Sequence, residues 1–459
     1  MKNMKKNIAI LAILLLVFAT VLLTNCSRSP NVAGDGKNGT QQPADAIPTQ
    51  SVPTNAQQYD EQPDDKAPHA NKEEPSGEPI ESEQIDPQLE AEKAQKRRDV
   101  IEQSKALFAG YFYEEALQLL SEDETLINDE TKSLEAEITQ TMENLVLYDG
   151  TVRHIFFHSL ILYPEYLFPN LNTPTGGYNE GFAYKSELEK ILPQLLERGY
   201  VLYNINDVFG KDEDGNMTMK DIYLPPGKMP LVLSVDDPSL HYGIGFANRM
   251  ILDENGELAT EVITPSKEKI ITYDGDVELV VGNFVKEHPE FSYRGHKGII
   301  ASTGYLGIFG YDLATEESKL DAIAVCDKLK SSGWIFASHS YTHNRNGYWG
   351  PNSSADKISY DTKRWRAEIE PIVGRTNIFI APFGYKLKGA AMEVILNNGY
   401  DIYCTVNSVN ESAVFPEYAL MSRIEIGGYA LTRYTTTLNR DFFDVQTVKD
   451  SYRPPILSN

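Results

Sequence analysis

Two aspartates stand side by side at Asp236 and Asp237, directly after the apolar run Leu231-Val232-Leu233-Ser234-Val235. Side chains alternate along a strand, so adjacent carboxylates at its exit point in different directions. One can bind a cation while its neighbour stays uncoordinated and acts as a base. Such a pair also serves as a turn or helix cap, so it needs other chemistry nearby to carry meaning. His339-Ser340-Tyr341-Thr342-His343 supplies it: histidines at i and i+4 meet on one helical face, a geometry that suits two imidazole ligands on one divalent metal. Only eight histidines occur, at 69, 154, 158, 241, 288, 296, 339 and 343, so this spacing carries weight. An ordinary helix start capped by Ser340 or Thr342 is the alternative. A third element is Ala381-Pro382-Phe383-Gly384-Tyr385, and two further histidines lie well for chemistry: His158, late in a β-rich run, and His241, four residues beyond Asp237.

The elements that must position these residues are short β-branched and aromatic runs at 154–160, 230–237, 298–303, 334–340, 377–384, 402–407 and 420–426. Between most of them lie amphipathic stretches of helical length at 186–198, 277–288, 317–331, 357–373 and 386–398. Strands alternating with helices indicate βα units and a parallel sheet. Seven strands within residues 149–459 suit an α/β fold of distorted (β/α)7 barrel type, with a doubly wound open sheet as the alternative. His158 lies late in the first run, Asp236 and Asp237 end the second, His339 and His343 close the fourth, and Pro382 to Gly384 close the fifth. Carboxyl ends of strands form the active face of parallel α/β folds, so residues distant in the chain converge there.

Together these elements resemble the polysaccharide deacetylase family, the NodB-homology fold also called carbohydrate esterase family four. Its Thr-Phe-Asp-Asp-Gly motif is matched by Ser234-Val235-Asp236-Asp237-Pro238, its His-Ser/Thr-x-x-His motif by His339 to His343, and its Pro-aromatic-Gly strand end by Pro382-Phe383-Gly384. Ile155-Phe156-Phe157-His158-Ser159-Leu160 is similar to the Tyr-His-x-Ile opening of the branch related to exported poly-N-acetylglucosamine deacetylases. The resemblance implies a NodB-type barrel and a hydrolase that removes acetyl groups from an N-acetylated polysaccharide of the cell envelope. It implies Asp237, His339 and His343 as holders of a divalent metal, zinc in the first instance with cobalt or nickel as alternatives. It also implies Asp236 as general base, the backbone N–H of Phe383 as oxyanion donor, and Pro382, Tyr385, His241 and Arg423 near the substrate. O-acetyl esters are the alternative substrate, and a glycan-binding lipoprotein that has lost turnover is the alternative activity.

Three departures from the family pattern matter. Pro238 replaces the glycine after the aspartates. Ile380-Ala381 stand where an arginine usually precedes Pro382, which leaves Asp236 without its usual partner. No histidine follows His343, whereas the family's general acid is usually a late histidine; the last strand carries Ser422-Arg423 instead. A guanidinium with a pKa above about 12 is a poor proton donor near pH 7. His158 and His241 are the candidates for a replacement acid, with a supporting or surface histidine as the alternative reading of each. Tyr348 and Trp349, in the loop after His343, are candidates for stacking on a sugar ring, and Trp334 and Phe383 for packing the barrel.

The rest of the chain sets the context. At 459 residues it has room for about three folded units of ~150 residues. Its 42 basic against 66 acidic side chains give a net −24, which excludes the dense cationic face a nucleic-acid binder needs. Residues 1–25 hold three lysines followed by the apolar run 8–23, the layout of an export signal. Leu23-Thr24-Asn25-Cys26 resembles the lipobox of bacterial lipoproteins, which implies lipidation of Cys26 and an extracytoplasmic protein tied to the membrane. Loss of those lysines takes the charge to −27, so acidity belongs to the exported chain and disfavours anionic polymers as substrate. Residues 26–90, rich in proline and polar side chains, read as a disordered linker. Residues 91–148 read as a helical hairpin with its second helix at 135–147, and residues 149–459 as the catalytic domain. Cys326 and Cys404 sit within apolar patterns and read as buried free thiols.

Overall fold

The computed structural model describes residues 86–240 and 242–457; the expected signal, the linker as far as residue 85, Cys26 and His241 lie outside them. Among the described residues no helix is long and apolar enough to cross a membrane.

Seven short strands carry the architecture: β1 (Arg153–Phe157), β2 (Met229–Asp236), β3 (Gly298–Ser302), β4 (Trp334–Ser338), β5 (Ile378–Ile380), β6 (Ile402–Val406) and β7 (Ala419–Glu425). Each pairs in parallel with the next in chain order, and β7 returns to β1. The sheet is thus a closed (β/α)7 barrel rather than an open one, and its strands are the seven runs read from the sequence. Five helices of the surrounding layer also fall where expected: Lys185–Glu197, Val277–Glu287, Glu316–Ser331, Ala355–Glu368 and Ala390–Asn397.

Strand alternation sorts each strand into two faces. One parity, including Leu233, Ile300, Phe336, Phe379 and Tyr403, packs outward against helix residues such as Leu188, Val281, Val325 and Trp365. The other parity fills the barrel with Val232, Ile299, Ala301, Ala337, Ile378, Ile380, Ile402, Cys404, Ala419 and Met421. Going up that inward parity toward the carboxyl ends, apolar residues give way to His154, Ser234, Asp236, His339, Arg423 and Glu425. The polar mouth is therefore built by the same alternation that builds the dry interior.

The barrel is distorted at two seams. β4 meets β5 only through Ser338 opposite Phe379, and β7 meets β1 only through Ile424 and Glu425 opposite Ile155 and Phe156. Short extra strands complete the lower edges: Tyr200–Leu202 pairs with the start of β2, and Ser412–Val414 pairs antiparallel with the start of β7. Ile205, Val208, Phe209, Met217, Ile222 and Leu224 join the interior cluster from below and close the barrel floor. A three-stranded antiparallel sheet (Ala247–Leu252, Leu258–Ile263, Lys269–Thr272) is inserted after β2. Neither the floor nor the inserted sheet was expected.

Toward the N-terminus the expected hairpin is three helices, Pro87–Ala109, Tyr113–Ser121 and Asp129–Glu143. The last starts earlier than anticipated because Asn128 and Thr131 form a reciprocal capping box, and it stops short of Val146–Leu147, which pair with Tyr223 and Leu224. Cys326 and Cys404 are buried and free.

Candidate metal centre

Asp237, His339 and His343 converge at the barrel mouth, one ligand atom from each lying within 4.8 Å of the others. His343 Nε2 is 3.6 Å from Asp237 Oδ2, and His339 Nε2 is 4.0 Å from the same oxygen. His339 Nδ1 lies 2.7 Å from the carbonyl of Ile380. A carbonyl only accepts, so Nδ1 carries the proton and Nε2 presents a lone pair to the centre, the contact by which a backbone carbonyl orients a metal-ligating imidazole. Burial lowers the pKa of both rings, that of His343 to about 4, so both are neutral ligands at physiological pH. Burial also raises the Asp237 carboxyl, against the pull of His339 and His158. Asp237 Oδ1 is buried and has no hydrogen-bond partner among the described residues. Two neutral imidazoles and a carboxylate with an orphaned oxygen fit a divalent cation such as zinc.

The loop that presents the histidines is not the expected helix. β4 ends at Ser338, and residues 339–343 form an irregular turn in which Ser340 and His343 take φ of 65° and 43°. Buried Asp361 holds this turn, accepting from the N–H of Tyr341 (2.8 Å) and Thr342 (2.9 Å) and from the Thr342 hydroxyl (2.6 Å). Ser340 Oγ accepts from the N–H of His343 at 2.9 Å. Asp237 and Phe383 also have positive φ, 55° and 56°. Left-handed backbone at four non-glycine residues around one centre is strain that its surroundings must hold in place, and such strain clusters at functional sites.

Asp236 sits beside the triad, its Oδ2 3.7 Å from His339 Nε2. Across the barrel Arg423 donates to both its oxygens, Nη1 to Oδ1 at 2.7 Å and Nη2 to Oδ2 at 2.9 Å. Two sequence expectations are corrected by this pairing. Asp236 does not lack an arginine; the partner comes from β7 instead of from the residue before Pro382. Arg423 is fully buried and committed to Asp236, so it does not face substrate. Burial pushes the Asp236 carboxyl upward, but Arg423 and His339 outweigh it and hold the group well below the usual carboxylate range.

Phe383 was expected to pack the barrel, yet its ring is 45% exposed, 4.4 Å from the His343 ring and 5.6 Å from the Arg345 guanidinium. Pro382 is buried in the same short turn, and Tyr385 is half-buried with its carbonyl accepting from the Tyr403 hydroxyl at 2.7 Å. Trp349 is fully buried against Phe379 and unavailable for stacking on a sugar, while Tyr348 lies beside Tyr360.

His158 stands just past β1, with Nδ1 3.2 Å from the Gly181 carbonyl and 3.3 Å from Glu425 Oε1 and its ring stacked on Phe182. Glu425 was missed in the sequence. Burial raises its carboxyl, opposed by His158. The signal that marks it is parity: Glu425 lies two residues after Arg423 on the same inward face of β7.

No family model matches the chain, and no curated protein matches it. Among solved structures it is similar to the Streptococcus pyogenes deacetylase PplD in complex with acetate, at 13% identity over 61% of this chain and 93% of that one, with a TM-score of 0.37. It is similar to IcaB from Ammonifex degensii at 15% identity over 56% of this chain and 83% of that one, with a TM-score of 0.32. For the BpsB deacetylase domain from Bordetella bronchiseptica the values are 12% identity, 60% of this chain, 97% of that one and a TM-score of 0.31.

Proposed function

We propose that the chain is a metal-dependent hydrolase that removes acetyl groups from an N-acetylated polysaccharide of the cell envelope. The observation that carries this reading is the convergence of Asp237, His339 and His343 beside an uncoordinated, arginine-held Asp236. The sequence resemblance to polysaccharide deacetylases points the same way.

A divalent ion held by Asp237, His339 and His343 supplies Lewis acidity, lowering the pKa of water and polarising an acyl oxygen. Asp236 takes up the proton as water adds to the acetyl carbon. Arg423 occupies one lone pair on each Asp236 oxygen and leaves a second on each, so the carboxylate keeps acceptor capacity while its orientation is fixed. The Phe383 backbone N–H donates to the oxygen on which negative charge grows. His158 hands a proton to the departing nitrogen. Its Nδ1 proton is directed at Gly181 and Glu425, which leaves Nε2 to carry the mobile one. Tyr242, whose hydroxyl donates to the Asp237 carbonyl at 3.4 Å, joins Phe182, Tyr178 and Phe246 in an aromatic wall that limits water on this side.

In this reading residues 149–459 act as the catalytic domain, a lipid on Cys26 ties the exported chain to the membrane, and the linker, which ends at residue 86 rather than 90 because the first helix begins at Pro87, gives it reach toward the polymer. The test is acetate release from N-acetylglucosamine oligomers by the zinc- or cobalt-loaded protein, with acetylated xylan as the O-acetyl comparison. Release that vanishes in Asp237→Ala and His339→Ala supports the reading. Absence of acetate from every acetylated glycan, with metal bound, sinks it.

A further inference from the structure

The barrel interior contains a polar layer that the proposed chemistry does not use. Ser234 and His154 are fully buried and lie on the inward parity of β2 and β1, where the other strands place Ile299, Ala337, Ile402 and Ala419. A histidine in such a place costs free energy unless its nitrogens are satisfied. His154 Nε2 is 2.9 Å from Ser234 Oγ while its Nδ1 has no partner among the described residues, so the serine is the one polar contact that holds the ring, and the same hydroxyl accepts from Arg423 Nη1 at 3.0 Å. Arg423 Nη1 and Nη2 reach Asp236, and the guanidinium lies 4.0 Å over the Phe156 ring. His154, Ser234, Arg423 and Asp236 thus form one chain of contacts running from the dry interior to the base.

We infer that His154 and Ser234 are positioning residues for the proposed deacetylation: together they fix the Arg423 guanidinium so that Asp236 meets water in one orientation. Nη1 is shared between Ser234 and Asp236, so Ser234 gives the guanidinium a contact outside the carboxylate that restrains its rotation about the Asp236 axis. Phe156 covers its flat face. The other contact of Ser234 Oγ is His154 Nε2, so the imidazole holds in place the hydroxyl that receives Arg423. Burial and the neighbouring guanidinium keep the ring uncharged. Without the serine, Arg423 swings about the carboxylate and the base loses its fixed direction, whereas the metal ligands, which contact neither residue, stay in place.

The inference rests on the function proposed above, so its test has two arms. In the first, Ser234→Ala is crystallised; the guanidinium is expected to leave its two-point contact with Asp236, a readout that needs no activity. In the second, Ser234→Ala and His154→Phe are assayed on N-acetylglucosamine oligomers. A loss of about tenfold in kcat is expected, with KM and metal content within twofold of wild type. A guanidinium that stays within hydrogen-bond distance of both Asp236 oxygens in Ser234→Ala, or a kcat within twofold of an active wild type, overturns the inference. An inactive wild type sinks the proposed function instead, and the crystallographic arm still decides this one.

Discussion

Replacing Arg423 by methionine isolates the energetics of the base. The native side chain makes two hydrogen bonds to Asp236 at 2.7 and 2.9 Å and one to Ser234 at 3.0 Å, all buried. Methionine fills most of the volume but leaves Asp236, 2% exposed, as an uncompensated buried charge. Breaking a buried pair from one side costs about 3–5 kcal/mol, and that is the expected loss in urea unfolding at pH 7. The loss depends on pH. In the native protein the Asp236 carboxyl lies below its ordinary value of 3.8, so its ionisation contributes stability that is present above that pH and lost as pH falls through the native pKa. Without the arginine, burial dominates and pushes the carboxyl upward, so the variant relieves its strain by binding a proton. The deficit should be full at pH 7 and at least about 1 kcal/mol smaller at pH 4.5. Adding Asp236→Asn to the variant should recover part of the loss, because the charge that needed a partner is gone. A loss below about 1 kcal/mol at pH 7, or one identical at both pH values, would refute the claim that this ion pair organises the site.

Three other outcomes follow from particular contacts. Asp361→Ala removes the acceptor for two backbone N–H groups and a hydroxyl in the histidine turn, so zinc affinity measured by competition with a chelator should fall by roughly 10–100-fold; unchanged affinity would show that the turn holds its own shape. Glu425→Gln keeps the shape beside His158 but replaces the carboxylate that accepts at its Nδ1 and orients the ring, so kcat should drop by about 10–100-fold with metal content unaltered. Glu278 is buried with neither carboxylate oxygen partnered among the described residues, and burial raises its pKa well above 4.5. Native protein therefore holds a proton that the unfolded chain has released, and stability declines as pH rises above 4.5. Glu278→Gln should flatten that decline in thermal melts between pH 5 and 8, and an unchanged slope would contradict the assignment.

The seven barrel strands were legible because β-branched runs between amphipathic helices leave few other arrangements, and bounds such as 230–237 against Met229–Asp236 differ by a residue. The triad was legible because its residue types and order are informative without coordinates. The turn carrying His339 and His343 was not, since the i, i+4 spacing reads as helix and no glycine announces the positive φ at Ser340. Arg423 meeting Asp236 links positions 187 residues apart, and no local pattern reports such a contact. Glu425 went unnoticed for a similar reason: a lone glutamate at a strand end is ordinary until barrel closure sets it beside His158. Phe383 and Trp349 exchanged roles because aromatic side chains suit both cores and sugar faces, and only packing decides between them. The inserted sheet was lost because its strands carry charged residues, Arg249 and Glu261 among them, that blur the alternation.

The central claim is that one divalent metal ion, held by Asp237, His339 and His343, serves acetyl hydrolysis. Metal analysis of the protein after zinc loading and gel filtration, with acetate release followed on the same sample, tests it most directly. The account predicts one zinc per chain, loss of that zinc in His339→Ala, and acetate release that tracks zinc content across partially loaded samples. Stoichiometric zinc that persists in His339→Ala, or acetate release independent of metal content, would contradict it.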